Sequence, residues 1–124
     1  MGGIFIVDSV RLWLRRRSRE KKLLVAQAWP IATGEVNHWQ VLNAEDEVAT
    51  TGATYQIEAG FHFIVNGDYF GGYLRSVAMT HHEAETKAKG NPAVRVRYDP
   101  ANPDSVAVLA EDNRENLSFR VVSG

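Results

Sequence analysis

Several groups of residues in this chain have types and spacings that could do chemistry. In Tyr98-Asp99-Pro100 a carboxylate stands beside a phenol, a pair able to move protons. General acid–base catalysis needs a second positioned group and a pocket to hold a substrate. The same residues are what a tight turn asks for, because proline presets φ and an Asp or Asn side chain bonds its own downstream backbone. Asp99, Pro100, Asn102 and Pro103 are therefore predicted to be turn residues. His81 and Glu85 stand at i, i+4, with His82 alongside, so a helix would bring an imidazole and a carboxylate together. Zinc takes at least three protein ligands, and His38 and His62 fall on separate segments, so His81 with Glu85 is only a weak metal alternative. Gly67, Gly71 and Gly72 are not followed by Gly-Lys-Ser/Thr, so they form no phosphate loop. The chain has no cysteine, which excludes disulfides, thiolate metal sites and a thiol nucleophile. None of these groups amounts to an active site; the expectation is a non-enzymatic protein with no cofactor.

The strongest signal is one of charge. Residues 1–22 carry Arg11, Arg15, Arg16, Arg17, Arg19, Lys21 and Lys22 against Asp8 and Glu20, a balance of +5. The whole chain has 14 basic and 15 acidic side chains, so the remaining 102 residues carry seven and thirteen, a balance of −6. An acidic body with a basic head is a statement about partners and not about fold. Ile6, Val10, Trp13 and Leu14 recur at i, i+4, i+7 and i+8, one apolar stripe of a helix predicted from about Phe5 to Ala28, which Pro30 ends. The stripe lacks a basic leader and contains Asp8 and Arg11, unlike a signal peptide. From Ile4 to Leu14 such a helix rises roughly 16 Å, about half of a hydrocarbon core. No membrane span is expected, and of the locations left open a cytoplasmic or membrane-peripheral one is favoured.

The elements behind these residues are mostly strands. Two units are expected, a basic amphipathic helix over 1–29 and a small β domain over 30–124. Strands are predicted for Ile31–Leu42, for Tyr55–Val65 with a bulge at Ala59-Gly60, for Asp68–Met79, Ala93–Tyr98 and Val106–Leu109, and a last one over Leu117–Val122. Asn66-Gly67 is the sharpest local signal, since both central residues of a type I′ turn need positive φ. Gly71-Gly72 in the return strand points to a bend or the close approach of another backbone. Thr80-His81-His82-Glu83 has the pattern of a capping box, which starts a short helix running to Lys89. The architecture is mainly β: five or six antiparallel strands in a barrel or sandwich, with one short helix.

The ordered set Trp29-Pro30, Gly34-Glu35-Val36, Phe61 to Gly72 around Asn66-Gly67, His82 to Glu85, and Val94 to Pro103 followed by Val108-Leu109 resembles the bacterial family catalogued as domain of unknown function 3592, over about residues 29–110. The resemblance implies a small, mainly β domain, usually tethered to a membrane by apolar helices beside it. It brings no established activity and no catalytic residues. This chain departs from the pattern by having no full-length apolar helix.

The expected function is an interaction or scaffold module, its acidic body held in an assembly or at a membrane face by the basic helix. The helix would meet a protein partner or a second copy through its apolar stripe. Alternatively it would meet anionic lipid, where each basic group contributes on the order of 1 kcal/mol. Two other classes stay open: a small ligand-binding or hydrolytic domain with its site near His62 and Tyr69, and a barrel that stacks single-stranded nucleic acid. The acidic body argues against the last.

Overall fold

The structure is a computed structural model that describes residues 24–44 and 54–122. Five strands form one antiparallel sheet: β1 (Ile31–Asn43), β2 (Tyr55–Val65), β3 (Asp68–Arg75), β4 (Ala93–Asp99) and β5 (Asn102–Ala107), in the order β3-β2-β1-β4-β5. One helix, α1 (His81–Lys87), and a 3-10 turn (Ala110–Asp112) complete the described elements. The edge strands β3 and β5 approach one another, so the sheet curls into a nearly closed barrel. Gly72 on β3 marks the seam: a Cβ there would lie 2.9 Å from the Phe61 ring and 3.3 Å from the side chain of Val106 on β5. At Gly72 the close approach is made by side chains and not by the backbone that the sequence predicts; at Gly71 a Cβ would lie 3.0 Å from the Phe61 carbonyl oxygen on β2.

β1 is the hinge of the barrel. Residues 31–35 pair with β4, and residues 35–43 pair with β2. At the change of partner Gly34 crosses so closely over β2 that a Cβ would overlap the carbonyl oxygen of His62. The register then slips by one residue between Val36 and His38, so the bulge sits at Asn37 on β1 and not at Ala59-Gly60 on β2. An extra residue leaves ladder groups unpaired unless something else meets them. Here the Val36 backbone N–H donates to the Pro92 carbonyl at 3.0 Å, and the Asn91 side-chain Nδ2 donates to the Val36 carbonyl at 2.9 Å.

The barrel interior follows the alternation of the strands. Ile57, Ala59, Phe61 and Phe63 of β2 are buried with Val36, Leu74, Val94 and Val96, and Met79, Ala84, Val108, Leu117, Phe119 and Val121 close the ends. Phe63 is at the centre, with ring centroids of Phe61, Phe70 and Tyr98 at 6.2, 5.8 and 6.1 Å. Trp39 and Val41 pack against this core from β1.

Several boundaries differ from the sequence expectation. β5 runs over Asn102–Ala107 and not Val106–Leu109. β3 stops at Arg75, because Ser76 turns its buried hydroxyl to accept from the Ile57 amide at 2.8 Å and to donate to the Val77 carbonyl. The predicted last strand shrinks to one bridge, Ser76 with Val121, flanked by bonds from Val77 to Arg120 and from Val122 to Arg75. α1 ends at Lys87. Its cap is also a variant: the Thr80 hydroxyl accepts from the Glu83 amide, but the Glu83 carboxylate receives the Thr80 hydroxyl proton and not the Thr80 amide.

Candidate functional site

The residues singled out in the sequence scatter to different fates. Arg11, Arg15, Arg16, Arg17, Arg19, Lys21 and Lys22, and the stripe Ile6, Val10, Trp13 and Leu14, lie outside the described residues, as does most of the predicted helix. Asn66 and Gly67 join β2 to β3 with φ of 52° and 85°. Asp99 spends its Oδ1 on the amide of Ala101 at 2.9 Å, a bond inside the turn. That turn is shorter than predicted. Only Pro100 and Ala101 lie between the strands; Asn102 and Pro103 are the first residues of β5, where Pro103 is tolerated because β5 is an edge and needs no outward donor there.

His81 Nε2 meets Glu85 Oε1 at 3.1 Å, and the imidazole packs edge-on to Tyr55 at 4.7 Å. Both partners are exposed, and among the described residues no three metal-ligating side chains gather. His62 and Tyr69 are on the outer face of the β2–β3 hairpin and not inside the barrel, with ring centroids 6.3 Å apart. Asn37, freed by the bulge, lies 3.0 Å from His62 Nδ1. On the same face Tyr69 and Tyr73 are 74% and 69% exposed, positions where bases could stack. Their charged neighbours are Asp68 and the Glu58–Arg75 pair, a balance that does not attract a phosphate chain.

Two places were invisible in the sequence. One is the anchor where the chain reaches β1. Residues 24–26 are helical, and Ala26 is fully buried against Ala107 and Leu109, with Trp29 packed beside them. Leu24 and Val25, the two residues before it, are 69% and 57% exposed. The anchor is locked by Arg97 on β4. Its Nε and Nη2 donate to the two oxygens of Asp112 at 2.8 and 3.0 Å, and Nη1 donates to the Gln27 carbonyl at 2.6 Å. The bonds to Asp112 raise the Arg97 pKa above its ordinary value, against the opposing effect of burial, so the guanidinium stays charged throughout the neutral range. A planar fork that satisfies a carboxylate and a backbone carbonyl together is a role that lysine could not fill. Nothing local in the sequence shows this role, because the partners that claim Arg97 are 15 and 70 residues away.

The other place is a cleft of about 510 Å³ on the far side of the same 3-10 turn. It is lined by Ala110 and the buried core residues Leu117, Phe119 and Val121, and by Lys87 of α1, Arg114 just after the 3-10 turn and Arg120 of the C-terminal segment. Asn113 forms a wall. It is buried, its Oδ1 accepts from the Arg95 amide at 2.8 Å, and its Nδ2 donates to the carbonyls of Arg95 and Leu109 at 3.0 Å. The side-chain amide thereby extends the β4 ladder as another strand would. Trp39 holds the Phe119 ring edge-on at 6.0 Å from the core side.

These features define a small antiparallel β domain, nearly closed, with a side-chain-locked N-terminal approach and an open basic cleft. The chain belongs to the family described as domain of unknown function (DUF3592), whose family model matches residues 32–114, from the start of β1 through the 3-10 turn and Arg114. No curated protein and no solved structure matches. Among the described residues no helix is long and apolar enough to cross a membrane.

Proposed function

We propose that this protein is a non-enzymatic interaction module in which the basic N-terminal arm docks on an anionic membrane surface or a protein partner and presents the acidic barrel in a set orientation. The observation that carries this reading is the anchor: Ala26 buried on Ala107 and Leu109, with the Gln27 carbonyl held by Arg97. A segment fixed in this way transmits its orientation to the body, whereas a flexible linker would not. Leu24 and Val25, just before the anchor in the chain, add exposed apolar surface beside it. A net of five positive charges near an anionic bilayer contributes roughly 5 kcal/mol, enough for reversible attachment.

Flotation with vesicles separates the two kinds of partner. For the lipid arm of the reading, the full chain floats with anionic vesicles, stays behind with neutral ones, and loses the attachment as salt rises. Replacing Arg15, Arg16 and Arg17 together by Glu then abolishes flotation. If the parent chain does not float, or the triple variant floats as well as the parent, lipid is eliminated as the partner. The protein-partner arm instead requires self-association or a captured partner that the same triple variant weakens.

A further inference from the structure

The cleft beside the 3-10 turn takes no part in the docking of the arm, and its charges are of one sign. The β body carries thirteen acidic and seven basic side chains, yet the charged residues lining the cleft are Lys87, Arg114 and Arg120, and among the described residues no carboxylate joins them. Elsewhere on the body cations are matched, Arg75 with Glu58 and Arg97 with Asp112. The acids near the cleft in the chain are engaged away from it. Asp112 gives both oxygens to Arg97, Glu111 acts on Arg97 as well, and Glu85 meets His81. Glu83 accepts the Thr80 hydroxyl and stays 4.0 Å from Lys87, and Glu115 is exposed outside the lining. Among the described residues no carboxylate comes within ion-pairing distance of Arg114 or Arg120. Three cations therefore line one volume with no counter-charge in it.

The backbone that carries these cations is fixed without a ligand. The Asn113 side chain bonds Arg95 and Leu109 immediately before Arg114. The Arg120 carbonyl accepts from the Val77 amide at 2.9 Å, and the Thr80 cap starts the helix that ends at Lys87. A site framed in advance loses little ordering entropy on binding beyond that of its own long side chains. Leu117, Phe119 and Val121 are buried in the core, so the surface that the cleft offers is more polar than apolar, with the exposed Ser118 in it. At about 510 Å³ the cleft has room for more than one charged group.

We propose that this cleft binds a diphosphate group, free or carried on a small polar molecule, through Lys87, Arg114 and Arg120. A single phosphate group carries about −1.5 to −2 charges at neutral pH and leaves part of the three positive charges unmatched. Two linked phosphates match them in one compact unit. Each guanidinium fork can take two oxygens of a phosphate, and the Lys87 ammonium adds a point charge. A carboxylate brings one charge and two oxygens, too little for three cations. The site is on the body and works whether or not the arm meets lipid.

The test is titration of the full chain with inorganic diphosphate in magnesium-free buffer, followed by the amide shifts of Arg114, Ser118 and Arg120, which separate this site from the basic arm. Those amides are expected to move together along one saturating curve, and inorganic phosphate to bind about tenfold more weakly or worse. The exposed double variant Arg114→Gln/Arg120→Gln should lose about tenfold or more in affinity while the β2–β3 amides keep their positions. Changing Arg15, Arg16 and Arg17 to Glu should leave the cleft shifts as they are. Adenosine diphosphate binding more tightly than inorganic diphosphate assigns a carried group, and binding no more tightly assigns the free ion; either upholds the site. Unaltered affinity in the double variant, loss of the cleft shifts in the arm variant, inorganic phosphate or citrate binding as tightly as diphosphate, or no movement of the three amides would each overturn the assignment.

Discussion

The two ends of β1 support halves built on different principles. The hairpin half, β2 and β3 against residues 35–43, is held by apolar alternation around one ring cluster and by a turn that two adjacent residues specify. The other half, β4 and β5 with the 3-10 turn and the C-terminal segment, has a shorter ladder and an edge strand containing proline. It is completed by polar side chains acting at a distance: Arg97 on Asp112 and Gln27, and Asn113 on Arg95 and Leu109. Apolar packing is non-directional and tolerates approximate partners, so it builds a sheet. Hydrogen-bonded forks are directional, so they fix how a segment or a cleft is placed on that sheet.

The comparison can be broken most severely at the hairpin's centre. Phe63→Ala removes a fully buried ring that touches three others, and urea titration should show a loss of about 3–5 kcal/mol. A loss below ~1 kcal/mol would mean that the ring cluster is not the core of the barrel.

The second half should respond in a different manner. Asn113→Ala leaves the part-buried Arg95 amide and carbonyl and the buried Leu109 carbonyl without this partner, for a loss of about 1–3 kcal/mol. Hydrogen exchange should quicken first at Arg95, with the Phe61 and Phe63 amides still protected. Uniform acceleration across both halves would show that they are one cooperative unit with no local clamp.

The smallest effect sharpens the local side of the contrast. Gly67→Ala places a Cβ at φ 85° where nothing else crowds it, so the cost is backbone strain alone, about 1 kcal/mol. A neutral outcome would mean that the β2–β3 register rests on cross-strand packing and not on its turn.

How much was legible in the residues follows the same division. The limits of β2 and its inward face could be read from Tyr55 to Val65 because alternation has a range of two residues. The bulge was assigned to the wrong strand. Gly60 is a plausible bulge residue by type, but the extra residue is Asn37, and only the pairing of Val36 with Pro92 and Asn91 shows why. Pro103 was read as part of a turn because proline usually is; its strand is an edge, and edges are defined by what is not beside them.

The sequence by itself determined the class of architecture, the Asn66-Gly67 reversal and the split between a basic head and an acidic body, because each depends on neighbours within a few positions or on simple sums of charge. The tertiary structure alone decided that Arg97 locks the approach to β1, that Asn113 stands in for a strand, and that Lys87, Arg114 and Arg120 share one cleft. Those relations join residues far apart in the chain. Directional bonds exist only after the nearly closed sheet has brought their partners within about 3 Å of one another.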